Sequence, residues 1–210
     1  MTHLAGLERQ ALCDTLERVG PSAPTLCDPW LSAELAAHLV IRDTRPDLAM
    51  AGIIPPLKGK LDAGMAEYAT RPWDELVHLV RNGPPAWSPA RIPALDHLVN
   101  LTEFFIHHED VLRGDGRVGP QRDISQELES TLWRQLTTNA RLMLARLDCG
   151  VVLVARGHGR KAVKRPTVAG AVVLMGSPGE LTLAVSGRLR VAHVGLGGAE
   201  SAVELTRTIL

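Results

Sequence analysis

Leu4, Leu7, Ala11, Leu12, Leu16 and Val19 recur at three- and four-residue intervals, which lays an apolar stripe along a helix over about residues 4–19. Gly20, Pro21 and Pro24 in "GPSAPTLCDP" stop it. A second helix is predicted through "WLSAELAAHLVIRD", ending near Pro46. Asp28 before Pro29 reads as its N-cap with proline at the first helical position, and Ser32 competes for that role. Residues 51–72 hold Gly52, Pro55, Pro56, Gly59, Gly64 and Pro72, the composition of a long crossover, with room for a short helix near 61–68. "WDELVHLVRNG" predicts a short amphipathic helix ending at Gly83, and "PPAWSPARIP" a second proline-rich connection. Two longer helices follow, over about 94–113, closed by Gly114 and Gly116, and about 125–147.

Beyond Cys149 the period shortens. "GVVLVAR" and "KAVKR" read as strands around a "GHG" turn, and "AVVLM" as a third strand. "PGELTLAVSGR" reads as a helix stopped by Gly187, "VAHVGL" as a strand and "GAESAVELTRT" as the closing helix. The expected fold is mainly α, with four principal helices over 1–148 and a small α+β segment over 149–210. Crossovers this long argue against a simple up-down-up-down bundle.

Composition narrows the function. The chain has 210 residues, 45% hydrophobic and 22% charged, with 23 basic and 23 acidic side chains. Such proportions belong to a globular protein with a real core, and the balanced charge gives no global pull toward nucleic acid or an anionic membrane. "VVLVA" and "AGAVVLM" are far shorter than the roughly 20 apolar residues a bilayer-spanning helix needs. The N-terminus carries acids as well as bases in a helical period, unlike a secretory leader, so a cytoplasmic location is expected. Cys13, Cys27 and Cys149 form no CxxC pair and are expected as reduced thiols, with Cys27 lying ahead of the second helix where burial or proximity to a metal are both open.

The densest chemistry lies in "NLTEFFIHHEDVLRG", residues 100–114. At about 100° per residue, Glu103 and His107 lie roughly 40° apart and Asp110 roughly 20° to the other side of Glu103, so the three share one helix face. His108 points roughly 140° from Glu103 and is expected to face outward, while His97 lies roughly 120° away. A carboxylate and an imidazole at i, i+4 can grip one divalent cation, although the same pair also serves as a surface or capping interaction. A third ligand must come from elsewhere. His38, between Leu35 and Leu39 on the second helix, is the best donor, because an unpaired imidazole beside an apolar stripe is costly. A His38/Glu103/His107 set leaves a coordination position open, suits Zn2+, and also accepts Ni2+ or Fe2+.

The order and spacing of "CDPWLSAELAAHL", "RPWDEL" and "NLTEFFIHHEDVLRG" resemble the DinB-like metal-binding superfamily. Within it they resemble the mycothiol-dependent maleylpyruvate isomerase N-terminal group of actinobacterial proteins. The likeness covers most of residues 1–150, and the tail with "LTLAVSGR" looks like the small C-terminal domain of that group. The resemblance implies a four-helix bundle of up-down-down-up topology, with a divalent metal on His38, Glu103 and His107. It also implies an acidic residue one turn later at Asp110 and an arginine of the C-terminal domain, at Arg188, reaching over the metal. This chain departs from the group at the start of the second helix, where Pro29-Trp30-Leu31 replaces the usual Gly-Trp-Thr.

The expected activity is therefore zinc-dependent, with a low-molecular-weight thiol such as mycothiol as cosubstrate in a transferase or isomerase reaction on an electrophilic or anionic substrate. Asp110 would orient His107 through its other ring nitrogen or accept a proton, and Arg188 is the second catalytic candidate. Arg42, one turn beyond His38, either faces an anionic substrate or is a surface arginine. A non-catalytic metal- or ligand-binding protein of stress or regulation, and a thiol-independent metal hydrolase, are the alternatives. "RGHGRKAVKR" concentrates positive charge but reads as a solvated hairpin, and "GLGGAE" lacks the Gly-Lys-Ser/Thr ending of a phosphate loop, so no nucleic-acid partner is expected. Trp30, Trp73, Trp87 and Trp133 read as packing anchors.

Overall fold

A computed structural model describes residues 4–45, 47–48, 58–84 and 93–210, with the backbone alone for 58 and 93–99. Gly52, Pro55 and Pro56 of the expected crossover, Trp87 with most of the second proline-rich connection, and the side chain of His97 lie outside the described residues. The fold is mainly α with a small C-terminal α+β segment. The chain divides into two compact units, Met1–Asp115 and Gly116–Leu210.

The first unit contains α1 (Leu4–Val19), α2 (Ser32–Thr44), α3 (Lys58–Ala69), α4 (Trp73–Asn82) and α5 (Pro93–Leu112). α1 packs along α5 and α4, and α2 packs on α3 and α4. The predicted stripes meet in one core, where Leu12 and Leu16 of α1, Leu35 and Leu39 of α2, Leu76 and Val80 of α4, and Phe104 of α5 are buried together. Each such side chain contributes about 1.5–3 kcal/mol by leaving water. Arg9 is buried among them because its charge is fully partnered: the guanidinium pairs with Asp43, donates to the Val80 carbonyl at 2.9 Å and lies 4.2 Å above the Phe104 ring.

α2 begins later than the Asp28-Pro29 signal suggests, and neither Asp28 nor Ser32 caps it: the N-cap position is Leu31. The reason is a local turn. Thr25 Oγ1 donates to the Trp30 carbonyl at 2.7 Å and accepts the Cys27 N–H at 3.1 Å, while the Trp30 N–H reaches the Cys27 carbonyl at 2.9 Å. These bonds hold 25–30 out of the helix. Ser32 is instead the first helical residue, and its hydroxyl donates to the Gly20 carbonyl. Glu34 accepts the Leu31 N–H at 3.0 Å, which satisfies one exposed donor at the helix start.

The second unit opens with α6 (Gln126–Met143), followed by β1 (Gly150–Ala155), β2 (Gly159–Lys164), β3 (Ala171–Met175), α7 (Pro178–Leu183), β4 (Gly195–Gly198) and α8 (Glu200–Ile209). The sheet order is β2-β1-β3-β4; β1 is antiparallel to β2 and parallel to β3, and β3 is antiparallel to β4. α6 shares its core with the sheet, since Leu136, Ala140, Leu144 and Leu147 are buried with Val151, Leu153, Val172 and Leu174. The basic run forms the predicted hairpin, and Lys164 donates to the Leu144 carbonyl at 3.1 Å at the end of α6, where a cation satisfies orphan carbonyls.

"PGELTLAVSGR" is helical over Pro178–Leu183 and then widens into a π turn over Ala184–Arg188, which Gly187 ends with φ 85°. The strand expected at "VAHVGL" lies further on, at Gly195–Gly198. Residues Leu189–Val191 form a 3-10 turn, and the buried Glu180 carboxylate takes the His193 N–H at 2.7 Å, away from any ladder. Among the described residues no helix is long and apolar enough to cross a membrane.

Candidate metal centre

Three segments of the first unit converge on the helix face singled out in the sequence. α2 supplies His38, α5 supplies Glu103, His107 and Asp110, and the turn at 25–30 brings Cys27 and Trp30. The turn is fastened to α5 at two points. The Leu26 N–H donates to the Asp110 carbonyl at 3.0 Å, and Gly114 lies so close to the Pro24 carbonyl that a Cβ there would overlap it. Glycine at 114 is thus a packing requirement, which joins the loop carrying Cys27 to the end of α5.

The donor atoms of His38, Glu103 and His107 all lie within 4.8 Å of one another. Glu103 Oε1 is 3.4 Å from His38 Nε2 and 3.2 Å from His107 Nε2, and the two imidazole centroids are 5.2 Å apart. On its other side, His107 Nδ1 lies 2.9 Å from Asp110 Oδ2. A carboxylate can only accept, so Nδ1 carries the hydrogen and Nε2 is aimed at the His38/Glu103 side. Asp110 is wholly buried, whereas the His38 and Glu103 side chains keep 24% and 29% of their surface exposed. That exposure leaves the cluster open to a small ligand.

The charges agree with that geometry. Burial acts to raise the Glu103 carboxyl, but hydrogen bonds from His107 and His38 and the charge of Arg42 prevail and hold it well below the usual carboxylate range. Burial acts to lower the His107 imidazolium, yet Asp110, Cys27 and Glu103 prevail and hold it well above its ordinary value. With the ring protonated, the hydrogen on His107 Nε2 lies between this imidazole and Glu103, where a metal would take its place. Three donors of N and O type, with a backing carboxylate on the far nitrogen of one imidazole, fit a divalent ion.

The neighbours are more engaged than expected. Arg42 Nε lies 3.4 Å from Glu103 Oε1 and its guanidinium also bonds Asn100, so this arginine backs the cluster and is not a bare surface residue. Trp30 packs its ring 5.2 Å from that of His38. Cys27 Sγ lies 3.0 Å from Asp110 Oδ2 and 3.8 Å from His107 Nδ1, a placement no helical period signals because Cys27 belongs to a turn. Arg188 belongs to the second unit, where its guanidinium donates to the Ser186 carbonyl at 2.6 Å.

His108 corrects an expectation. It does not face outward: it is 4% exposed, with Nδ1 3.0 Å from Glu8 and Nε2 2.9 Å from Thr15, both on α1. Glu109 is equally internal and accepts from Arg113 at 2.8 Å. The angular separation read from the sequence is sound, but the opposite face of α5 meets α1 instead of water.

Two solved structures share this architecture. A crystal structure of the mycothiol-dependent maleylpyruvate isomerase aligns over 92% of this chain and 90% of its own, with a TM-score of 0.59 and 18% identity. A variant of that enzyme with one histidine replaced by alanine aligns over the same shares, with a TM-score of 0.59 and 16% identity. The chain has the fold of that isomerase. No family model and no curated protein matches the sequence.

Proposed function

We propose that the first unit is a divalent-metal centre built on His38, Glu103 and His107, and that the protein is a zinc-dependent enzyme using a low-molecular-weight thiol such as mycothiol in a transferase or isomerase reaction. The observation that carries this reading is the convergence of three donor atoms from two helices, with Asp110 fixing His107 from behind. A cation held by these residues would supply Lewis acidity, which lowers the pKa of a thiol and so favours a thiolate nucleophile at neutral pH.

The residues have distinct parts. Asp110 holds the Nδ1 hydrogen of His107 and so keeps the Nε2 lone pair directed to the centre. Glu103 stays ionised and supplies negative charge, while Arg42 limits its swing by pairing with the same oxygen. Trp30 packs its ring against that of His38 and flanks the cluster on that side. The thiol dependence of the structurally similar isomerase supports the choice of cosubstrate, and sulfur as a guest ligand favours zinc. Arg188 has its catalytic role through the resemblance alone; Arg188→Ala is expected to lower turnover with metal content unchanged.

Incubation of the protein with zinc, mycothiol and a panel of electrophiles tests the reading. Thiol consumption that stops on chelation is expected. No metal-dependent consumption with any electrophile would favour a binding-only protein, and turnover without thiol would favour a hydrolase.

A further inference from the structure

His107 stands between two donor sets. On its Nε2 side are His38 and Glu103, and on its Nδ1 side are Cys27 and Asp110, whose donor atoms likewise lie within 4.8 Å of each other and of the ring. The second set has separations of 2.9 Å (Nδ1 to Asp110 Oδ2), 3.0 Å (Cys27 Sγ to Asp110 Oδ2) and 3.8 Å (Cys27 Sγ to Nδ1). For bonds of about 2.0–2.3 Å, the donors of a tetrahedral ion sit roughly 3.3–3.8 Å apart. The longest edge already matches, and the other two need to open by only a few tenths of an ångström. The donors come from both partners of the Leu26–Asp110 fastening and are therefore held together by the fold rather than by a chance rotamer.

We propose that Cys27, His107 Nδ1 and Asp110 form a second, sulfur-bearing cation site that accepts a thiophilic ion, in competition with the ion held by His38, Glu103 and His107 Nε2. The two sets differ in softness. The first offers nitrogen and oxygen, whereas the second adds a thiolate, which makes it the softer of the two and raises its preference for ions softer than zinc, such as Cu+ and Cd2+.

They also exclude each other. A neutral imidazole has one lone pair, so His107 serves one side at a time, and the tautomer decides which. Entry of a soft ion displaces the Cys27 thiol proton and the Nδ1 hydrogen of His107 to solvent, and Nε2 keeps its hydrogen. The first set then loses one of its three donors. A thiophilic ion thereby switches the proposed centre off without touching His38 or Glu103.

Cd2+ is the probe, because its bond to sulfur gives an ultraviolet charge-transfer band, which an ion held only by the nitrogen and oxygen donors of the first set does not give. Metal-free wild-type protein is expected to take one Cd2+ per chain with that band, and added Zn2+ is expected to compete for the same single equivalent. Cys27→Ser should lose the band while its circular dichroism and zinc binding persist. His38→Ala should weaken zinc and keep the band. Cys13 and Cys149 are fully buried, and burial pushes the Cys13 thiol up to about 12, so neither is placed to give the signal.

A missing band in the wild type, a band that survives Cys27→Ser, or simultaneous binding of one Zn2+ and one Cd2+ would each overturn the proposal. The zinc arm with His38→Ala tests the proposed centre, and the cadmium arm with Cys27→Ser tests this second site, so either can fail alone.

Discussion

His107 and His108 are neighbours in sequence, both nearly buried, and they do opposite work. His108 is saturated: each ring nitrogen has a partner on α1, Glu8 on one side and Thr15 on the other, and the whole network is sealed. His107 has a partner behind it in Asp110, while its other nitrogen faces two groups, His38 and Glu103, that stay partly open to solvent. Burial of a histidine alone therefore says little about function. What distinguishes the two is whether the surrounding polar atoms close a circuit or converge on a point that a guest can occupy.

The contrast breaks most sharply at His108. Replacing it with alanine takes away the imidazole bonded to buried Glu8 and is expected to cost about 1–3 kcal/mol of stability, as leaving a buried polar group without its hydrogen-bond partner does, with zinc affinity retained at temperatures where the protein is folded. Chemical denaturation beside calorimetric zinc titration separates the two effects. A stable variant that lost zinc would invert the assignment of the two faces.

Asp110→Asn sharpens the other side. The amide keeps the size of the carboxylate but not its charge, so zinc affinity should fall about 10–100-fold while the fold is kept. An affinity equal to that of the wild type would mean that Asp110 does not orient His107.

A smaller effect lies in pH. The folded-state pKa of His107 is raised, so its contribution to the metal-free protein is fully present below the unfolded value of about 6.5 and is lost as pH rises through the folded value. Zinc needs the deprotonated ring, so its stabilising increment runs the other way. Between about pH 6 and pH 8 the rise in melting temperature on adding zinc should grow. A constant increment across that window would show that no histidine proton is exchanged for the ion.

The same contrast explains what was legible beforehand. The first helix, the Glu103/His107/Asp110 face and the change to strands after Cys149 follow from periodicity, because one side of each element is apolar and the period records it. His108 escapes that reasoning, since periodicity places it away from Glu103 without saying that α1 covers that face with Glu8 and Thr15. Cys27 escapes because turns have no period; its position depends on the Leu26–Asp110 bond and on the missing side chain at Gly114, long-range facts absent from the local pattern. The start of α2 and the place of β4 shift for a related reason: the hydroxyl of Thr25 and the carboxylate of Glu180 hold backbone groups that would otherwise have entered helix or ladder.

The most direct measurement is the metal content of protein purified without added metal, for the wild type beside His38→Ala, with folding of both checked by circular dichroism. About one divalent ion per chain in the wild type and a nearly empty variant are the predicted result, because His38 joins Glu103 and His107 from a separate helix to complete three donors. Equal metal in both proteins would contradict a centre at these residues.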